Sequence, residues 1–405
     1  MTTNPSRPIK KRARIVAMAC AAGALLLAGC STADNSSGDA AADTSSVPSE
    51  SASAAPSRVV NGVEIPGNVG IQEDDMKPME DFCGDKQITV GYVDSNAGVN
   101  SWRKITKAEL MDEAAKCPNI TDVITTDGQG SLEKTISDIQ GLVAQGVGAL
   151  VVLTDFGDPT MPAIRQAMQA GIPVTLINYP HPAGTKGKDY TDTVNADDAL
   201  VARVQTEWLI KNAAGDTCNI LHVGGSAGNP LSAAVTTGIQ AAMKEHPDCK
   251  LLNDEPLTSD WNPADEQKAV AGALVKYPQI DGVYNECGTC APGGWKAFVE
   301  AGRPLVPWVS DDVNELSCTF GDLKPDNPNF QMLTVSARTW VVRVALHKAV
   351  AAAEGLTDDE PSDWLLSTFE DSTNPKMQPQ CHPDAPPSAI FSSLLSDEQV
   401  IKAVS

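Results

Sequence analysis

Between positions 87 and 310 the chain alternates two patterns of apolar residues. Short runs rich in Val, Ile and Leu, at 87–94, 121–126, 148–154 and 173–178, predict β-strands buried on both faces. Between them lie longer stretches with helical spacing: Leu132, Ile136, Ile139, Leu142 and Val143 make one apolar stripe. Pro162 near a helix start and Gly171 past its end follow the usual order of helix punctuation. A second set repeats the scheme, with strands at 219–223, 250–253, 282–285 and 306–310 and helices around 231–245, 263–276 and 292–301. Such alternation predicts an α/β fold with doubly wound parallel sheets. The segment is longer than one such core usually holds, so two lobes are expected.

The ends of the chain read differently. Arg7, Lys10, Lys11, Arg12 and Arg14 precede an apolar run at 15–28, the layout of a signal peptide over residues 1–29. That run is too short for a comfortable membrane span. It ends in Leu27-Ala28-Gly29-Cys30, which resembles the lipobox at which bacterial lipoproteins are cleaved and acylated, so Cys30 is the expected lipidation site. From 30 to 58 the chain is mostly Ser, Ala, Asp, Thr and Pro, with little to bury, and is expected to be a disordered tether. A flexible stretch of this length reaches about 30 Å, enough to hold a globular body clear of a bilayer. Together these features predict an extracytoplasmic protein anchored to the cell membrane.

The net charge is −22, and falls to about −27 once the five leader cations are removed. That argues against a nucleic-acid partner and makes a strongly anionic ligand less favourable. Of the ten cysteines, Cys20 leaves with the leader and Cys30 takes the lipid. Cys83, Cys117, Cys218, Cys249, Cys287, Cys290, Cys318 and Cys381 remain. An even number in an exported chain predicts disulfides, but eight cysteines allow roughly a hundred pairings.

Open parallel sheets bind ligands beyond the carboxyl ends of their strands. Those ends carry Asp94, Ser95 and Asn96, then Asp127, Thr154 and Asp155, and Asn178 and Tyr179 in the first set. In the second set they carry Ser226, Asn285 and Glu286, and Asp311 and Asp312. Trp102 and Trp261, just beyond strand ends, offer flat apolar faces. Hydroxyl-binding groups beside aromatic faces suit a sugar or polyol. Each of these residues taken alone reads as a loop residue or helix cap; only their shared edge points to binding.

With these residues in view, the segment from Gln87 to Glu354 resembles the type I periplasmic binding proteins of the ribose- and galactose-binding kind, which serve ABC importers. The resemblance rests on residues 88–102, on Ile139-Gln140-Gly141-Leu142-Val143-Ala144-Gln145-Gly146-Val147 and on Ala170-Gly171-Ile172-Pro173-Val174. It implies a binding protein, not an enzyme, with no cofactor. It also implies a neutral monosaccharide or polyol in an interlobe cleft, a permease and its ATPase subunit as partners, and a monomeric state. By the resemblance Asn100 and Trp102 open the first helix at the site, and Asn178 and Tyr179 stand where an aspartate and an arginine are usual. Asp311 is the acid after a strand, and Trp261 sits near a second stacking aromatic. With Asp94, Arg103, Asp155, Asn285 and Arg338 these form the expected ligand-binding set.

The resemblance further implies a hinge of three segments, expected near Asn195, Asp312 and Arg338. The first lobe is then 83–194 plus 313–338, the second 195–312 plus 339–372, and 373–405 is a C-terminal extension. Its tertiary logic pairs Cys83 with Cys117, Cys218 with Cys249, Cys318 with Cys381 and Cys287 with Cys290. The small residue near Ala233, where an arginine is common, and Ala337 or Arg338, where a glutamine is common, are departures that weigh against ribose itself.

Other motifs admit other readings. Gly224-Gly225-Ser226-Ala227-Gly228 fits the G-x-S-x-G turn of hydrolases, with Asp311 and His347 or His382 in the right order for a triad on Ser226. However, Asn229 and Pro230 delay the helix that such a turn requires. Cys287-Gly288-Thr289-Cys290 has the spacing of a redox pair without thioredoxin-like surroundings. The five histidines show no metal-ligand spacing, so no metal site is expected. An aromatic or nucleoside ligand is the remaining alternative, if Trp102, Trp261 and Tyr179 enclose the pocket more than the acids do.

Overall fold

The computed structural model describes residues 56–60, 62–98, 100–213, 217–228 and 230–405. The expected signal peptide, Cys30 and the tether up to residue 55 lie outside them. The tether's expected end shifts, because Arg58–Val60 (β1) already pairs antiparallel with Val63–Ile65 (β2). Val69–Ile71 (β3) and the single turn Gln72–Asp75 (α1) follow. This lead-in precedes the alternating apolar pattern. It is ordered because Val63, Ile65, Val69, Met79 and Phe82 are buried under it.

The first αβ series runs Ile88–Asp94 (β4), Ser101–Ala114 (α2), Ile120–Asp127 (β5), Leu132–Gln145 (α3), Ala149–Leu153 (β6), Met161–Gln169 (α4), Val174–Ile177 (β7) and Asp192–Ala196 (β8). The second runs Asp198–Asn212 (α5), Cys218–Gly224 (β9), Pro230–Glu245 (α6), Cys249–Leu251 (β10), Leu257–Thr258 (β11), Pro263–Lys276 (α7), Gly282–Asn285 (β12), Ala291–Glu300 (α8), Trp308–Asp311 (β13), Asn314–Leu323 (α9) and Met332–Val335 (β14). Val341–Glu354 (α10), Asp363–Leu365 (β15), Thr368–Asp371 (β16) and Asp397–Val404 (α11) complete the chain.

Two sheets result. One has the order β3-β15-β8-β7-β6-β4-β5 and is parallel throughout. The other has the order β10-β9-β12-β13-β14-β16, with β11 continuing the edge beside β9; only β16 is antiparallel. In both, the first strand of the series (β4, β9) lies between the second and the third, so the winding reverses there. Helix packing is close enough to dictate sequence: a Cβ on Gly238 of α6 would stand 2.0 Å from the Ala199 carbonyl oxygen of α5.

The segment assignment expected after residue 312 is reversed up to residue 366, beyond which β16 pairs with β14 of the second sheet. Segment 313–338 belongs with the second sheet, since β14 pairs with β13. Helix α10 packs against α2, β6, β7 and β8 and so returns to the first half. The chain passes between halves from β8 to α5, from β14 to α10, and from β15 to β16. No passage lies at Asp312, because β13, α9 and β14 stay in one half; the third passage is at Leu366 and Ser367. A strand's partner, which sequence order does not reveal, makes this difference. The apolar core is continuous across the passages: Val90 and Val151 of the first sheet share a cluster with Val204, Leu333, Val335 and Leu366.

Four bridges, Cys83–Cys117, Cys218–Cys249, Cys287–Cys290 and Cys318–Cys381, join the body cysteines. The first two each tie the start of one strand to that of its neighbour.

A buried charge cluster locks α10 to α2. Arg343 pairs with Glu109 and Glu113, and reaches Asp112 at 2.7 Å. His347 lies between Glu113 and Glu360, 3.0 Å from each. Burial alone would raise the Glu113 carboxyl, but hydrogen bonds from His347, Lys116 and Arg343 outweigh it and hold its pKa at about 2. Burial opposes the His347 imidazolium, yet the two carboxylates win and raise its pKa above 6.5.

The signs differ for the two groups. Glu113 contributes stability that is present above 4.5 and lost as pH falls toward 2. His347 contributes stability that is full below 6.5 and lost as pH rises through its raised value. Thermal unfolding followed across pH should therefore show a melting temperature that declines on the alkaline side. His347→Gln should remove that decline and cost about 3 kcal/mol at mildly acidic pH.

Candidate functional site

The carboxyl ends of β4 and β6 supply the first half's edge. Asn100 is the N-cap of α2, its side chain accepting from the Arg103 amide at 3.1 Å. The cap sets the helix so that Arg103, one turn in, points back at the strand ends. There it pairs with the buried Asp94 and with Asp155 at 2.5 Å and 2.7 Å. Ser95 ties the two strands together, its hydroxyl donating to Asp155 at 2.9 Å. Burial raises the Asp94 carboxyl in spite of Arg103. Asp155 is the outward member of the cluster, with 45% of its side chain exposed.

Asn178 adopts a left-handed conformation, φ 52°, just past β7. Tyr179 follows it and donates its hydroxyl to Asp158, which also accepts the Ala183 amide at 2.8 Å. Burial and that hydrogen bond push the phenol well above its ordinary value. Tyr179 thus closes one loop onto another, and it makes no hydrogen bond to the Arg103 cluster.

In the second half Asn285 does not present its amide at the edge. It is buried, donating to Glu266 at 2.6 Å and accepting from the Cys287 amide at 2.7 Å and the Ser310 hydroxyl at 3.2 Å. Asn285, expected among the ligand-binding side chains, is here engaged by these three hydrogen bonds. Burial in turn pushes Glu266 up to about 8, against the hydrogen bonds from Asn285 and the Gly294 amide.

Asp311 faces the passages. Burial raises its carboxyl to about 6, with Arg338 opposing and Asp198 and Glu286 adding to the rise. Arg338, in a left-handed conformation at φ 56°, donates to Asp198 at 2.7 Å and lies 3.9 Å from Asp311. Asp198 opens α5 and Arg338 precedes α10, so this ion pair pins two of the three passages together. Trp102 reaches the same place, its indole N–H donating to the Ala337 carbonyl at 2.5 Å.

Trp261 follows Asp260, and both are left-handed, at φ 56° and 48°. Its indole lies on Gly225, where a Cβ would stand 2.0 Å from Cζ2, and it remains 39% exposed. Beneath that glycine is an acid outside the expected set. Glu286 accepts from His222 at 2.6 Å, from the Ser232 hydroxyl at 2.6 Å and from the Gly225 amide at 3.3 Å. The glycine-rich motif is therefore a seat for Trp261. Ser226 has no histidine partner: His347 is held by Glu113 and Glu360 in the first half, and His382 stacks on Phe391. No group of three or more metal-binding side chains occurs among the described residues.

Two groups of contacts result: Trp261 on Gly225 above Glu286, and Asp311, Arg338, Ala337, Trp102, Arg103, Asp94 and Asp155; between them Glu286 acts on Asp311 only through its charge. Asp198 escapes a sequence reading because it looks like an ordinary helix-start acid, while Glu286 was visible only as one strand-end acid among several.

Residues 90–353 match the periplasmic binding protein domain family. The chain belongs to that family. A galactofuranose-binding protein of Escherichia coli (strain K12) is 29% identical over 168 residues, 42% of this chain and 52% of that protein. A xylitol-binding protein of Mycolicibacterium smegmatis is 28% identical over 205 residues, 50% of this chain and 56% of that protein. The chain thus spans about half the length of these curated relatives. A crystal structure of a galactofuranose-binding protein superposes with a TM-score of 0.58 at 22% identity, covering 69% of this chain and 92% of the other. That likeness supports the two-lobed architecture.

Arg103→Met should leave Asp94 buried without a cation and cost about 3–5 kcal/mol in urea unfolding at pH 7. Adding Asp94→Asn should recover part of the loss. Gly225→Val should displace Trp261, seen as a shift in tryptophan emission with about 1–3 kcal/mol of destabilisation.

Proposed function

We propose that this protein captures a neutral monosaccharide or polyol between the strand-end edges of its two lobes and delivers it to the permease of an ABC importer. It does so from outside the cytoplasm, held to the membrane through a lipid on Cys30. The observation that carries the reading is charge compensation at the edges. Arg103 is already shared by Asp94 and Asp155, and Arg338 by Asp198 and Asp311. An ionic guest would find its counter-charge taken, whereas a polyhydroxylated neutral one can accept from guanidinium N–H groups and donate to carboxylate oxygens at once.

Trp102 and Trp261 add faces for the C–H surfaces of such a ligand. Relatives named for galactofuranose, xylitol and ribose favour the same class. Rotation about the three passages would let guest binding stabilise a closed form, presenting to the permease a surface made by both lobes.

The test is a thermal-shift screen of the unlipidated chain against xylitol, pentoses, hexoses, nucleosides and aromatic acids, followed by calorimetry. A sugar or polyol at a hundred times its dissociation constant should add about 2.7 kcal/mol of stability, and Trp261→Ala should weaken its binding at least tenfold. A response to nucleosides or aromatic acids alone overturns the sugar assignment. Cys30→Ser should move the protein from the membrane to the soluble fraction.

A further inference from the structure

The C-terminal segment lies beyond the family match, which ends at residue 353. It touches both halves. On the second half it is fastened twice. Cys381 is bonded to Cys318 of α9, and the segment after it caps the same helix: the Asn314 and Glu315 amides donate to the Ala389 and Pro387 carbonyls at 2.8 Å and 2.9 Å. These are first-turn donors that the helix itself leaves unpaired.

The chain then crosses. The Ser392 amide donates to Asp312 at 2.7 Å, and the Ser392 hydroxyl accepts the Ala337 amide at 2.9 Å, within the passage from β14 to α10. Two residues on, the Leu394 amide donates to Glu109 of α2 at 2.7 Å. Helix α11 then packs along α2, with Gln399 donating to Asp112 at 2.8 Å. Ile390, Leu395 and Val400 are buried in one apolar cluster with Ile105 of α2, although the rest of that cluster belongs to the second half. Helix α11 begins with its own capping box, formed by Ser396 and Gln399.

We propose that residues 381–404 form a strap that limits how far the two lobes open. Only five peptide steps separate Ala389, held at α9, from Leu394, held at α2, and such a stretch spans at most about 17 Å. Opening that carries α2 away from α9 must therefore break the Leu394 and α11 contacts or the cap on α9. The helix so held is the one whose first turn carries Asn100, Trp102 and Arg103, and Ala337 is bonded to both Ser392 and Trp102. The strap thus fixes one wall of the site and the passage beside it together. This inference needs the two lobes and not the identity of any guest.

The experiment uses the full chain without ligand, with spin labels introduced as unnatural amino acids at the exposed positions Lys107 of α2 and Lys268 of α7. The parent should give one narrow interlobe distance. Val400→Asp, which places a charge in the apolar contact with α2, should shift the distribution to longer and broader distances. It should also speed hydrogen exchange at 336–340 and 366–367. Leu394→Pro deletes the amide donor to Glu109 while changing a partly exposed side chain, and should move the distances the same way by a smaller amount should Val400→Asp not fold. An unchanged distance distribution in a folded variant whose residues 389–404 have lost exchange protection overturns the proposal.

Discussion

The constraint on which the rest depends is strand direction. A crossover helix returns the chain to the same end of the sheet each time, so every strand of a parallel set finishes on one edge. Both faces of the sheet are covered by helices, and that edge is where the chain is free to carry polar groups. In this protein the rule operates twice, once at the ends of β4 to β8 and again at the ends of β9 to β14. Asp94, Asp155, Asp311 and Glu286 share their placement for this one reason.

Acids gathered at such an edge are half-desolvated and repel one another, so the structure meets them with two guanidinium groups. Arg103 comes from the first turn of a helix and Arg338 from a left-handed position in a passage between lobes. The second placement does more than neutralise charge. Because Asp198 opens one passage and Arg338 stands in another, the pair ties two passages between the halves together. Trp102 joins the same junction through the Ala337 carbonyl.

The segments outside the repeating αβ pattern are built on a different principle. The lead-in adds β3 to the edge of the first sheet and buries Met79 and Phe82. The tail caps α9 and packs on α2. Each is anchored near a disulfide, Cys83–Cys117 or Cys318–Cys381, which confines a short segment that has little core of its own. The interior between the halves is correspondingly continuous, with the apolar cluster around Leu333, Val335 and Leu366 running from one sheet to the other.

Much of this was legible in the order of residues. Apolar runs of four to eight, helices with Pro at their starts and Gly past their ends, and acids just beyond strands are local properties, and local propensity writes them into the chain. The short strands β8, β14, β15 and β16 were not legible, since they are three to five residues long and β8, β15 and β16 mix polar residues with few apolar ones. Nor was the return of α10 to the first half, because the side of a passage on which a segment settles depends on what it packs against. The same holds for direction of side chains: Asn285 and Glu286 are neighbours after one strand, yet one turns back toward Glu266 and the other supports the glycine under Trp261. Sequence alone thus determined the repeating αβ units, their polar ends and the acidic, cysteine-bearing character of the body. Only the tertiary structure decided which acids are matched by Arg103 and Arg338, which segments cross between lobes, and where the tail docks. Those outcomes rest on contacts between residues far apart in the chain, and their energies exist only once the fold has brought the partners together.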